Sequence, residues 1–240
     1  MQDLNALFDL QNLLVDAISA QEQFERIAKE LMVNYGILQK DMPSISNSTR
    51  MVDVEYRFLE IEFYYVSENH KDIKANGSPF VYPRNCLKGG TFLLHSSGVD
   101  ICFKGRVSEK IEECNGGGIL IRAMLRTELS HGQRMDDTTT IVAGPWDCAD
   151  ALFNYTGISS FPTIIPLEEK EKEKDIRFSE RYHVKGKTTN EFAERKYCAY
   201  NEHYHKGNTW YTTQKLKRYD ASCIGYKAND YAPKPWDRKK

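Results

Sequence analysis

No apolar run in this chain approaches the 18 or so residues that a membrane-spanning helix needs, so no membrane partner is expected. Cys-x-x-Cys pairs are also missing. Cys86, Cys102, Cys114, Cys148, Cys198 and Cys223 are irregularly spaced, which argues against a zinc pattern and a disulfide framework and suits reduced thiols in a cytoplasmic protein. No metal and no organic cofactor is therefore expected. Internal repeats are absent, which excludes a solenoid. The opening residues, MQDLNALFDLQN, have neither a basic flank nor a small-residue cleavage site and do not read as a signal peptide. An excess of either charge is lacking too, with a net charge of −1, but the balance is uneven. Residues 168–240 hold 18 Lys and Arg against 12 Asp and Glu, and the rest of the chain holds 15 against 22. Uniform basicity is excluded; a local phosphate footprint is not.

What is present reads as one soluble α+β domain with additions at each end. Leu4, Leu7, Phe8, Leu10, Leu13, Leu14 and Ile18 recur at helical spacing and predict an amphipathic helix over 2–20. Phe24, Ile27, Ala28, Leu31 and Met32 predict a second helix, with Gly36 as its C-terminal stop. Residues 40–50 are polar and turn-rich and predict a loop. Residues 91–105 predict two strands kinked at Gly98. Gly116, Gly117 and Gly118 open a short apolar strand ending at Arg122, where they serve either a close backbone approach or a turn. Residues 145–155 predict a helix with Pro145 in its first turn. After the charged run EEKEKEKD comes a last candidate strand. Residues 187–240 then mix Tyr, Trp, Lys and Arg, which suits either a nucleic-acid arm or a wrapped appendage.

The organising stretch is 57–70, RFLEIEFYYVSENH. Strict alternation predicts a strand with Leu59, Ile61, Phe63 and Tyr65 on one face, and Phe58, Glu60, Glu62 and Tyr64 on the other. Its two carboxylates then lie about 7 Å apart, beside an aromatic ring. A general base with its neighbours fits that face, and so does a half-buried strand with solvated glutamates.

Several stretches, in order, resemble one family, the alkyladenine (methylpurine) DNA glycosylases. FLEIEFYYVSENH (58–70) resembles a family stretch of the form VETEAY followed by a histidine. YPRN (82–85) resembles TPRN, GGTFLL (89–94) resembles PGTLYV, GGGILIRA (116–123) resembles GAVLLRA, and AGPWDCADAL (143–152) resembles GPxxLCxAL. The resemblance spans 22–186, leaving a helical extension at 1–21 and the basic, aromatic-rich segment 187–240 without a counterpart. It implies a single domain around a twisted, mostly antiparallel sheet with flanking helices. It also implies a monofunctional DNA glycosylase, which flips a damaged or modified base and hydrolyses its N-glycosidic bond to leave an abasic site. Glu62 falls at the catalytic carboxylate and Arg122 at the arginine that holds the attacking water. Tyr64 and His70 fall at the base sandwich, with His95, Asp100 and Lys104 in the pocket. Arg84, Asn85 and Lys185 are expected at the DNA. A carboxylate near C1′ would deprotonate water and stabilise an oxocarbenium-like sugar, and no lysine stands in the motif to form a Schiff base.

The departures lie in GTFLLHSSGVDICFKG. Leu94 or His95 replaces a pocket tyrosine, Ser97 the intercalating one, and Asp100 adds a carboxylate. The pocket this implies is roomier and more polar, suited to an alkylated purine or to a bulky modified base such as phage DNA carries. The alternatives are a non-catalytic nucleic-acid-binding module and a nucleoside hydrolase using Glu60 and Glu62. The partner expected is DNA, the state a monomer, and the place the cytoplasm, at the nucleoid of a prokaryote or in the nucleus of a eukaryote.

Overall fold

A 16-residue strand with apolar side chains on both faces must be buried on both, and Met51–Val66 supplies the spine of the molecule. The computed structural model describes residues 4–10, 17–80, 88–106, 115–153, 161–181, 184 and 191–204. In chain order the elements are α1 (Leu4–Leu7), α2 (Ala17–Asn34), β1 (Tyr35–Pro43), β2 (Met51–Val66), β3 (Phe92–His95), β4 (Gly98–Cys102), β5 (Gly116–Ser130), β6 (Gln133–Ala143), α3 (Pro145–Phe153), β7 (Thr163–Pro166), β8 (Ile176–Ser179) and β9 (Cys198–Asn201). The strands among them form one sheet, in the order β3-β4-β5-β2-β1-β7, with β6 also on β5 and β9 bridging β2 to β8. Every strand pair is antiparallel. The fold class is α+β, as expected. Among the described residues no helix is long and apolar enough to cross a membrane.

The spine changes partners in the middle. On its outer edge β2 holds β1 up to Arg57 and β9 from Glu60 onward. On the far edge of β5, β6 pairs from Ala123 onward, while β4 pairs from Leu120 back. Between these two halves the β2–β5 ladder breaks register twice, from Phe58/Met124 to Glu60/Ala123 and then to Ile61/Ile121. Bulges on facing strands bend and twist the sheet, so it forks here into two arms.

Those bulges overturn the strict alternation expected of residues 57–65. Val54, Tyr56 and Phe58 share the main core with Ile61, Phe63 and Tyr65, so Phe58 does not share a face with Glu60. Leu59 instead joins Ala123, Leu125, Ile141 and Ala143 in a second, smaller cluster. One extra residue on each strand flips side-chain parity, which a period-2 reading cannot anticipate.

The main core is roofed by α2, which buries Phe24, Ile27, Ala28, Leu31 and Met32. Phe24 stacks on Phe63 with centroids 4.7 Å apart. The helix passes without a loop into β1, and Gly36 is a strand residue rather than a cap. A side chain there would meet Tyr56 O at 2.8 Å. The loop expected over 40–50 is shorter, because β1 runs to Pro43. The helix expected over 2–20 is interrupted, since α1 ends at Leu7. Phe8 and Leu10 are buried, and Phe8 O accepts a hydrogen bond from Lys104 N, so this segment belongs to the core and is no separate extension. The boundary expected at 187 likewise falls inside the sheet, because β9 pairs with β2 across Glu60–Glu62.

Gly117 shows why the glycine run is needed for close approach: a Cβ there would lie 2.0 Å from Tyr64 O. Gly117→Ala should therefore force β2 and β5 apart. Its expected cost is about 3 kcal/mol or more, readable as a lowered denaturant midpoint.

Candidate functional site

Side chains directly opposite one another in adjacent antiparallel strands share a face. Asp100 of β4 faces Leu120 of β5, Leu120 faces Glu62 of β2, Glu62 faces Cys198 of β9, and Cys198 faces Ser179 of β8. One row of side chains thus crosses five strands. In the next row Gly118 lies opposite Tyr64. Arg122, moved by the bulge, enters from two residues beyond Leu120. Glu60, Glu62, Tyr64, Arg122 and Asp100 are therefore brought together on the face of β2, β4 and β5 away from α2.

Arg122 bridges the two glutamates. Its Nε donates to Glu60 Oε1 at 2.8 Å, and its Nη1 donates to Glu62 Oε2 at 3.1 Å. Tyr64 Oη donates to the same Glu62 oxygen at 2.9 Å. Both carboxylates are fully buried and Arg122 nearly so. Burial pulls the guanidinium pKa down, but Glu62 and then Glu60 pull it up further, and it ends well above its ordinary value. Burial, reinforced by Glu62, also pushes the Tyr64 hydroxyl well up, so it stays a donor. The Arg122 carbonyl is held by Gly144 N at 2.7 Å, which ties the strand to the start of α3.

Glu60, Glu62 and Cys198 present ligand atoms within 4.8 Å of one another and could surround a cation. Arg122 already supplies one to both carboxylates. Burial and the two glutamates push the Cys198 thiol well up, which disfavours the thiolate a metal would require. The donor set suits a guanidinium better than a metal.

Tyr64 is backed by Arg181, a residue that the sequence analysis did not single out. Its guanidinium lies 4.7 Å from the Tyr64 ring centroid and 5.2 Å from that of Tyr197. It is paired with Asp72 through both terminal nitrogens, one at 2.8 Å, and donates to the carbonyls of Phe63 and Phe192. In the sequence it lies within the last candidate strand, RFSERYHVKG, with nothing to separate it from other arginines.

His70 does not form the expected sandwich with Tyr64. Its Nδ1 bonds Tyr65 O and its Nε2 bonds Tyr197 Oη, each at 2.9 Å, while its ring packs against Phe24 and Phe192. Arg181 occupies the level between Tyr64 and Tyr197, so no base fits between Tyr64 and His70. Lys104 is also elsewhere: its exposed ammonium pairs with Asp9 Oδ2 at 2.7 Å and fastens the N-terminal segment. His95 does reach the site, donating from Nε2 to Asp100 Oδ1 at 3.0 Å. The hydrogen bond to Asp100, aided by the charge of that carboxylate, raises the His95 pKa against the lowering effect of burial. Ser97 lies exposed in the tight turn between β3 and β4, next to Leu94, which is 52% exposed. Arg84, Asn85 and Lys185 lie outside the described residues.

Two outcomes follow from these contacts. Arg122→Met strands two buried carboxylates and should lower stability by about 3–5 kcal/mol, measurable by chemical denaturation. His70 is buried with its pKa lowered from 6.5, chiefly by desolvation. The unfolded chain therefore binds a proton more readily than the native one below that value, and stability should fall as the pH drops from 6.5 through the lowered native pKa. His70→Gln should flatten that part of a stability–pH curve.

No family model matches the chain, and no curated protein matches its sequence.

Proposed function

We propose that the protein is a monofunctional DNA glycosylase that hydrolyses the N-glycosidic bond of a flipped base, with Glu62 as general base and Arg122 as its partner. The observation that carries this reading is the buried Glu62 carboxylate, bonded at one oxygen by both Arg122 and Tyr64. The motif likeness of 58–70 and 116–123 to the alkyladenine glycosylases supports it, because those two segments are adjacent strands whose named residues meet. A carboxylate this dry is a stronger electrostatic partner for a cationic sugar than one in water.

In the reaction Glu62 takes a proton from water as the water oxygen bonds to C1′. The C1′–N bond breaks, and its electron pair leaves with the base, which then takes up a proton. Positive charge on the sugar develops beside the negative side of the Glu60–Arg122–Glu62 group. Arg122 orients the water, and Glu60 orients Arg122 through Nε. Tyr64 and Arg122 are both more exposed than Glu62, so one of them must swing aside for the sugar to approach.

Glu62→Gln keeps the shape and removes the base. Release of free base from DNA, followed by mass spectrometry, should fall by about 100-fold or more. DNA binding should persist. Equal activity of the two proteins, or equal release from free nucleosides as from DNA, would sink the assignment.

A further inference from the structure

Beyond the Glu62–Arg122 pair, the same row of the sheet holds a second buried carboxylate whose hydrogen bonding is only half complete. Asp100 is 2% exposed. Its Oδ1 accepts from His95 Nε2, and its Oδ2 has no hydrogen-bond partner among the described residues. That free oxygen leans over Gly118: a Cβ at Gly118 would lie 3.0 Å from Oδ2 and 2.9 Å from the Asp100 Cβ. Gly118 in turn lies opposite Tyr64. Between the β4 carboxylate and the β2 aromatic ring there is therefore a strand position with no side chain. Adjacent strands lie about 4.8 Å apart and residues rise about 3.4 Å along a strand, so Asp100 and Tyr64, two strands apart and offset by one row, stand about 12 Å apart in backbone terms, with the Asp100 carboxylate covering Gly118 between them.

A charged acceptor desolvated this far is costly unless a donor meets it. His95 supplies one donor from the hairpin side. The second oxygen lies over Gly118, the residue opposite the tyrosine that bonds Glu62. Resting on the glycosylase reading, we infer that Asp100 determines base specificity: Oδ2 accepts a hydrogen bond from an amino or ring N–H group on the edge of the flipped base. The substrate class is a modified base that keeps such a donor. A base whose edge donor is removed by alkylation leaves the carboxylate unmet and is rejected. His95 acts as a positioning residue, because its bond to Oδ1 fixes the plane of the carboxylate.

The test uses the full chain and oligonucleotides carrying a single matched base. Hypoxanthine and 5-hydroxymethylcytosine present an edge donor, whereas 1,N6-ethenoadenine and 3,N4-ethenocytosine have that edge bridged. Wild type should release the donor-bearing member of a pair at least about tenfold faster. Asp100→Asn, which can turn an amide N–H toward the base, should reduce that ratio about tenfold or more without changing the melting temperature. Gly118→Ala, whose Cβ would push the Asp100 carboxylate aside, should lower release of the donor-bearing base. Glu62→Gln is run beside them. Glu62-dependent release with the same pair ratio in wild type and Asp100→Asn overturns the role of Asp100 and leaves the glycosylase reading standing. Absence of release of any of the four bases by wild type overturns both.

Discussion

The candidate site depends on one guanidinium held between two buried carboxylates. Two glutamates alternating on a strand with nothing between them would repel and would each have to be desolvated alone. Arg122 spans them, Nε to Glu60 and Nη1 to Glu62. It can do so because facing bulges rotate both strands at one level. The same bulges let β2 exchange β1 for β9 and let β5 exchange β6 for β4, so the ion group sits at the fork of the sheet. Replacing such a group with apolar residues is often neutral or stabilising in proteins. Its presence at a branch point of the backbone is therefore easier to understand as chemistry than as glue.

Much of this was legible in residue order. The apolar spacing in 24–32 foretells the buried face of α2, and Pro145 foretells where α3 begins. The glycine run foretells close approach of β5, although the sequence alone left a turn equally open. Glu62, Arg122 and Tyr64 could be singled out from short motifs because those motifs fall on neighbouring strands. The failures have physical causes. Phe58 was put on the wrong face because a bulge is invisible to a period of two. His70 was put beside a base because nothing in the chain announces that Arg181, 109 residues from its partner Asp72, fills the space. Lys104 was put in the pocket because its exposed partner, Asp9, lies on a segment read as a separate helix. Residues 191–204 were assigned to an appendage because their composition is polar, yet four of them complete the sheet.

Asp100 and Glu62 illustrate how a sheet gives two carboxylates of one row different surroundings. They lie in one row, one strand apart from each other through Leu120. Glu62 is met at Oε2 by a charged and a hydroxyl donor, whereas Asp100 is met only at Oδ1 among the described residues. The difference arises from their neighbours: Arg122 and Tyr64 flank the first, and a residue without a side chain, Gly118, flanks the second.

The position of β9 bears on the order in which the molecule can be made. A ribosome delivers the chain from its N-terminus at about 5–20 residues per second. Glu60 and Glu62 emerge before Arg122, which follows on β5. The strand that closes the edge of the glutamates, Cys198–Asn201, and the arginine that backs Tyr64, Arg181, emerge more than a hundred residues after those glutamates. For that interval a nascent chain carries an acidic strand edge with a free ladder of backbone donors and acceptors, open to pairing with another nascent copy. Charge on an unpaired strand edge discourages association, and Glu60 and Glu62 place two carboxylates on this one before β9 pairs with it.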